Sequence, residues 1–127
     1  MIPIISATIA TAALLALSVL QTLVALGQPY GAFVYGGRHR VLPPGLRMMS
    51  AITVALYIAF AAILFARAGV IPGQEDPFIR AATWVLFTFS TFSIAMNAIS
   101  RSRPEQLTAT PASAILSITT LTLALSG

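Results

Sequence analysis

Residues Ile4 to Leu26 read IISATIATAALLALSVLQTLVAL, a run of about two dozen residues without one charged side chain. A helix needs about 20 predominantly apolar residues to cross the hydrocarbon of a bilayer. Backbone amides and carbonyls have no water to bond there, so such a run must satisfy them internally, as a helix. The many Thr, Val and Ile residues would favour strands in water, but the length of the run overrides that propensity. The segment lacks the positively charged start of a signal peptide, since no basic residue precedes Arg38. It is expected to be a retained helix.

The same pattern recurs downstream. Apolar segments run from about Leu46 to Ala66, from about Ile79 to Ile99 and from about Thr110 to Ser126. Gly27-Gln28-Pro29 and Pro43-Pro44-Gly45 bracket the first connection, Ile71 to Pro77 forms the second, and Ser102-Arg103-Pro104-Glu105 the third. Proline lacks an amide hydrogen and glycine is conformationally loose, so both punctuate helices. Asp76 before Pro77 reads as an N-cap followed by the first helical residue. The expected fold is all-α: a single integral membrane domain over residues 1–127, built as a four-transmembrane-helix bundle.

Composition agrees. The chain is 57% hydrophobic and 8% charged, whereas a soluble domain carries about a quarter charged residues. A chain this short, if soluble, would show water more apolar surface than monomers tolerate. Cysteine is absent, which removes disulfide scaffolds and thiol chemistry. With one histidine and no cysteine, no transition-metal site is expected, and nothing implies a cofactor. The charge of +4 is small and dispersed. It argues for contact with anionic lipid headgroups and against nucleic acid. All seven basic residues are arginine, which with the abundant alanine fits a GC-rich bacterial genome.

Arginine placement sets the expected orientation. The first connection carries Arg38 and Arg40, with Arg47 at the start of the second helix, and the third carries Arg101 and Arg103. The opposite side has Arg67 and Arg80 near helix ends. The positive-inside rule then puts the first and third connections in the cytoplasm and both termini outside a cell's inner (plasma) membrane.

Few residues are candidates for chemistry. Arg38, His39, Arg40 and Arg47, with Arg101 and Arg103, form a basic group suited to an anion or a lipid headgroup. The aromatics Tyr30, Phe33 and Tyr35 of the first connection suit headgroup depth. A sharper alternative is an anion pocket that combines the arginines with glycine amides. Glu105, the only carboxylate on that side, reads as an ion-pair partner or a capping element of the fourth helix. Ser90, Ser93 and Asn97 share a face of the third helix, and Ser113 and Ser117 a face of the fourth. Such rows let helices approach closely and hydrogen-bond across a seam. Thr8, Ala12 and Ala16, and likewise Ala55 and Ala59, repeat small residues at a spacing of four, a pattern that serves packing or a homodimer alike.

The spans hold no confident ionisable residue, which argues against a proton-coupled transporter. Small multidrug-resistance pumps share the size and helix number but depend on a glutamate in the first helix, which is missing here. No catalytic residue is assigned: no carboxylate pair, metal-ligand set or nucleophile–base spacing is visible. The leading expectation is an accessory or interaction protein, partnered by membrane lipids and by a second copy or a larger membrane protein. The alternative is a carrier or binding protein for a small anionic or lipid-like molecule, using the arginine group.

Overall fold

The computed structural model describes residues 1–126. The described residues form four long helices and two short 3₁₀ turns. Helix α1 spans Ile2–Ala25, α2 Pro44–Arg67, α3 Pro77–Ala98 and α4 Arg103–Leu125. Each is long and apolar enough to cross a membrane. At 1.5 Å per residue, the 24 residues of α1 reach about 36 Å, more than the roughly 30 Å of a hydrocarbon core.

Each helix opens with a proline in its first two positions: Pro3, Pro44, Pro77 and Pro104. The fixed φ of proline suits the first turn, where its missing N–H goes unused anyway. Asp76 caps α3 by accepting a hydrogen bond from the Phe78 amide at 2.8 Å. Helix α4 starts at Arg103, well before the apolar run at Thr110, and continues through Pro111. Its first turns are polar, and the ring of Pro111 is exposed where it meets no neighbour in the bundle.

The helices run up and down in chain order, and neighbours in sequence are neighbours in space. α1 packs on α2, α3 on α4, and α4 closes back on α1. α2 and α3 touch far less, and α2 and α4 lie across the diagonal. The core comprises Ala7, Ala10 and Leu14 of α1 with Leu64, Leu86, Leu116 and Leu123 of the other helices. Small residues on α1 let its backbone approach α4 closely. The rows Thr8–Ala12–Ala16 and Ala55–Ala59 face outward instead.

The connection between α1 and α2 folds back over one end of the bundle. Val34 and Leu42 join Val24 in a small second core. Two glycines permit this closure. A side chain on Gly31 would sit 1.8 Å from the His39 carbonyl oxygen, and the Gly31 amide bonds Arg40 O at 2.8 Å. Gly37 has φ +73° and lies where a Cβ would meet Ser102 Cβ at 2.6 Å. Ser102 Oγ donates to the Ala32 carbonyl, tying this cap to the start of α4. The capped end carries the first and third connections. The open end carries the second connection, the start of α1 and the end of α4.

Candidate functional site

Because α2 and α3 stand apart, the bundle is not filled. A cavity of about 200 Å³ lies among the four helices under the cap. Its lining changes along the bundle axis. Leu14, Leu64, Leu86 and Leu116 make the part nearer the open end apolar. Gln21, Tyr35, Asn97 and Glu105 gather at the capped end, with Ser90, Ser93 and Ser113 between. Phe89 lines the cavity and is still 57% exposed, so it stands between the interior and the outer surface of α3. A shallow apolar groove on the outer surface of α2 and α3 shares Phe60 and Leu86 with the cavity. Phe60 and Leu86 therefore stand between the groove and the cavity, as an apolar wall with one face on each.

The polar end is built by specific bonds. Glu105 sits in the first turn of α4, where a carboxylate is favoured by the helix dipole. Its Oε1 accepts from the Gly36 amide at 3.2 Å and from the Ser100 hydroxyl. The glycine amide that suits an external anion is thus spent on the protein's own carboxylate. Glu105 forms no ion pair, because the one salt bridge among the described residues is Arg80–Glu75 at 2.6 Å. Tyr35 has φ +49°, a left-handed conformation that costs a non-glycine residue about 1–2 kcal/mol. Its hydroxyl bonds Ser50 Oγ at 3.1 Å, and the ring lines the cavity. Phe33 lines the cavity too, while Tyr30 alone of the three loop aromatics is exposed.

The polar row of α3 meets that of α4 directly. Asn97 Nδ2 donates to Ser113 Oγ at 2.9 Å. Ser117 Oγ pairs with Thr91 Oγ1 at 2.8 Å. Ser90 and Ser93 lie one step around α3 and, like Asn97 and Ser113, border the cavity. Sequence reasoning missed Thr91, whose position is off the row that joins Ser90 and Asn97.

The basic residues are placed differently. Arg38, His39, Arg40, Arg101 and Arg103 are exposed at the capped end and do not line the cavity. Arg47 is half-buried, and its Nε donates to the Ala25 carbonyl at 2.9 Å, satisfying the end of α1. Arg67, only 1% exposed, is enclosed at the open end. It donates to the carbonyls of Gln74 and Ser126, so it spans the bundle diagonal from α2 to the end of α4. Its Nε is buried without a partner. Two ionisable residues therefore face inward, Arg67 enclosed at the open end and Glu105 half-buried at the capped end. Neither was visible as an interior group in the sequence, because both lie at the margins of apolar runs. Among the described residues no group of three His, Cys, Asp or Glu side chains converges as a metal site would need.

Comparison with known proteins gives no match to a family model, to a curated protein or to a solved structure.

Proposed function

We propose that this bundle is a binding protein or carrier for a lipid-like molecule, which it takes sideways from the bilayer between α2 and α3. The observation that carries this is the cavity, mostly apolar toward the open end and polar at the capped end, with Phe60 and the exposed Phe89 as its borders toward the lipid-facing surface. A bilayer lipid has the same grading, with its polar head at the membrane surface. Ligand sites of this kind are concave and mostly apolar, with a few placed polar groups. A photoreactive C12 alcohol in phosphatidylcholine vesicles tests the reading. Crosslinks should fall on Phe60, Phe89 and Ser93 and vanish in Ser93→Trp. Labelling confined to the outward faces of α1 and α2 would defeat it.

The exposed arginines at the capped end then hold the protein against anionic headgroups on the cytoplasmic face of a bacterial plasma membrane. Supporting this orientation, both arginines at the open end are internally engaged, Arg67 by carbonyls and Arg80 by Glu75. The free positive charge is thus concentrated at one end, as the positive-inside rule requires of the cytoplasmic side. Since the chain has no cysteine, single Arg40→Cys and Gln74→Cys variants test it in intact cells. An impermeant maleimide should label only the second.

An interaction role is the second reading. The outward rows Thr8–Ala12–Ala16 and Ala55–Ala59 support it, because small residues on a lipid-facing surface allow close approach of another helix. Native mass spectrometry of protein extracted with its own lipids would show a defined oligomer or a co-purifying protein. Ala55→Leu with Ala59→Leu would disperse it.

A further inference from the structure

We infer that the head of the bound molecule is a protonated amine, held at the capped end of the cavity by Glu105. This rests on the lipid-carrier reading above and adds the sign of the ligand's charge.

The lining decides the sign. No arginine borders the cavity, although five of the seven stand at the same end of the bundle. Among the described residues, the only charged one that does so is Glu105. Both hydrogen bonds it receives fall on Oε1, so Oε2 has no donor among the described residues. A carboxylate oxygen that borders a largely apolar cavity without a donor is suited to a cation or to hydrogen-bond donors. Gln21 repeats the demand from α1. Its Oε1 is buried and has no partner, and it borders the same cavity. A buried acceptor left unbonded is costly, and a donor-rich ligand head would remove that cost. A carboxylate or phosphate head would instead face Glu105 with like charge and leave Gln21 Oε1 unsatisfied.

Geometry fits an amine on an apolar tail. The head would reach Glu105 and Gln21 beneath the cap. The tail would lie along Leu86 and Phe60 and leave between α2 and α3. Two sources share this chemistry, an ethanolamine phospholipid of the membrane, whose terminal ammonium and not its phosphate would meet Glu105, and a free lipophilic amine.

Three C12 probes that differ only in the head separate the possibilities: dodecylamine, dodecanol and dodecanoic acid. Each is offered to the full-length protein in phosphatidylcholine nanodiscs, with binding corrected for protein-free discs. The wild type should hold the amine about tenfold or more tighter than the acid, as a charge-assisted bond is worth at that level. Glu105→Gln should abolish that preference and still bind dodecanol, which also shows that the variant is folded. Gln21→Leu leaves the Glu105 bonds intact and should weaken the amine several-fold, and more than it weakens dodecanol, whose hydroxyl offers one donor against the ammonium's three. Discs that also contain phosphatidylethanolamine identify the source, since displacement of dodecylamine there points to the phospholipid and no displacement to a free amine. Acid binding as tight as amine binding, or an amine preference unchanged in Glu105→Gln, overturns the proposal and leaves the carrier reading standing. If dodecanol itself does not bind the wild type, the carrier reading falls too. Should Glu105→Gln fail to fold, the wild-type preference and Gln21→Leu still decide.

Discussion

α3 has two neighbours in this bundle and meets them in opposite ways. Toward α4 it presents Thr91 and Asn97, which bond Ser117 and Ser113, and the two helices close tightly. Toward α2 it presents Leu86 and Phe89, opposed by Tyr57 and Phe60, and the two helices stand apart around a cavity. In lipid there is little hydrophobic drive to bring helices together, because the surroundings are as apolar as the side chains. Closure then depends on side-chain size and on bonds across the seam. Hydroxyls and small residues give both. Aromatic rings give neither and act as spacers. The contrast assigns structure to one face of α3 and the candidate binding site to the other.

Putting the same residue on both faces breaks or sharpens the comparison. The largest effect is expected from Ser117→Leu. It removes the bond to Thr91 and forces a larger side chain into a closed seam, at a cost of about 1–3 kcal/mol. Unfolding of the protein in mild detergent, followed by circular dichroism, should show it. Arg67→Leu comes next. It strips the donors from Gln74 O and Ser126 O at the end of the bundle diagonal. Hydrogen bonds to a charged group are worth about 1.5–3 kcal/mol each, but removing the buried charge and its unbonded Nε offsets most of that, so the net cost should stay below that of Ser117→Leu. The end of α4 should then become more accessible to protease. Asn97→Ala should cost about 0.6 kcal/mol, the usual worth of one interhelical bond in a membrane protein. A larger loss would mean that the Asn97–Ser113 pair anchors the whole seam. Ser93→Leu is expected to have the smallest effect on stability, neutral or a gain of about 0.5 kcal/mol, because filling a cavity is favourable. It should still displace the C12 probes. A cost matching that of Ser117→Leu would show that the two faces are packed alike, and the comparison would fail.

The same contrast shows how far the sequence could be read. The row Ser90, Ser93, Asn97 and its counterpart Ser113, Ser117 were visible from helical spacing alone. Spacing places residues on one face but does not say which neighbour that face meets. Asn97 bonds Ser113 at the edge of the cavity, while Ser90 and Ser93 border the cavity without a partner on α4. The loop glycines and arginines suggested an anion pocket, and the structure spends the Gly36 amide on Glu105, distant in sequence. Phe33 and Tyr35 suited a membrane interface by type, yet the loop turns them inward. Each of these outcomes depends on how the first connection lies over α4, which no local pattern encodes.

What the sequence determined by itself is the number of helices, their approximate places and their ability to cross a membrane. These follow from runs of apolar residues, because lipid forces each run to satisfy its own backbone. Tertiary structure alone decided that α2 and α3 part, that Arg67 is enclosed, and that Glu105 and Gln21 face one cavity. The physical reason is that those outcomes come from side-chain size and bonding between segments far apart in the chain. Hydropathy measures each segment's affinity for lipid and carries no record of its neighbours.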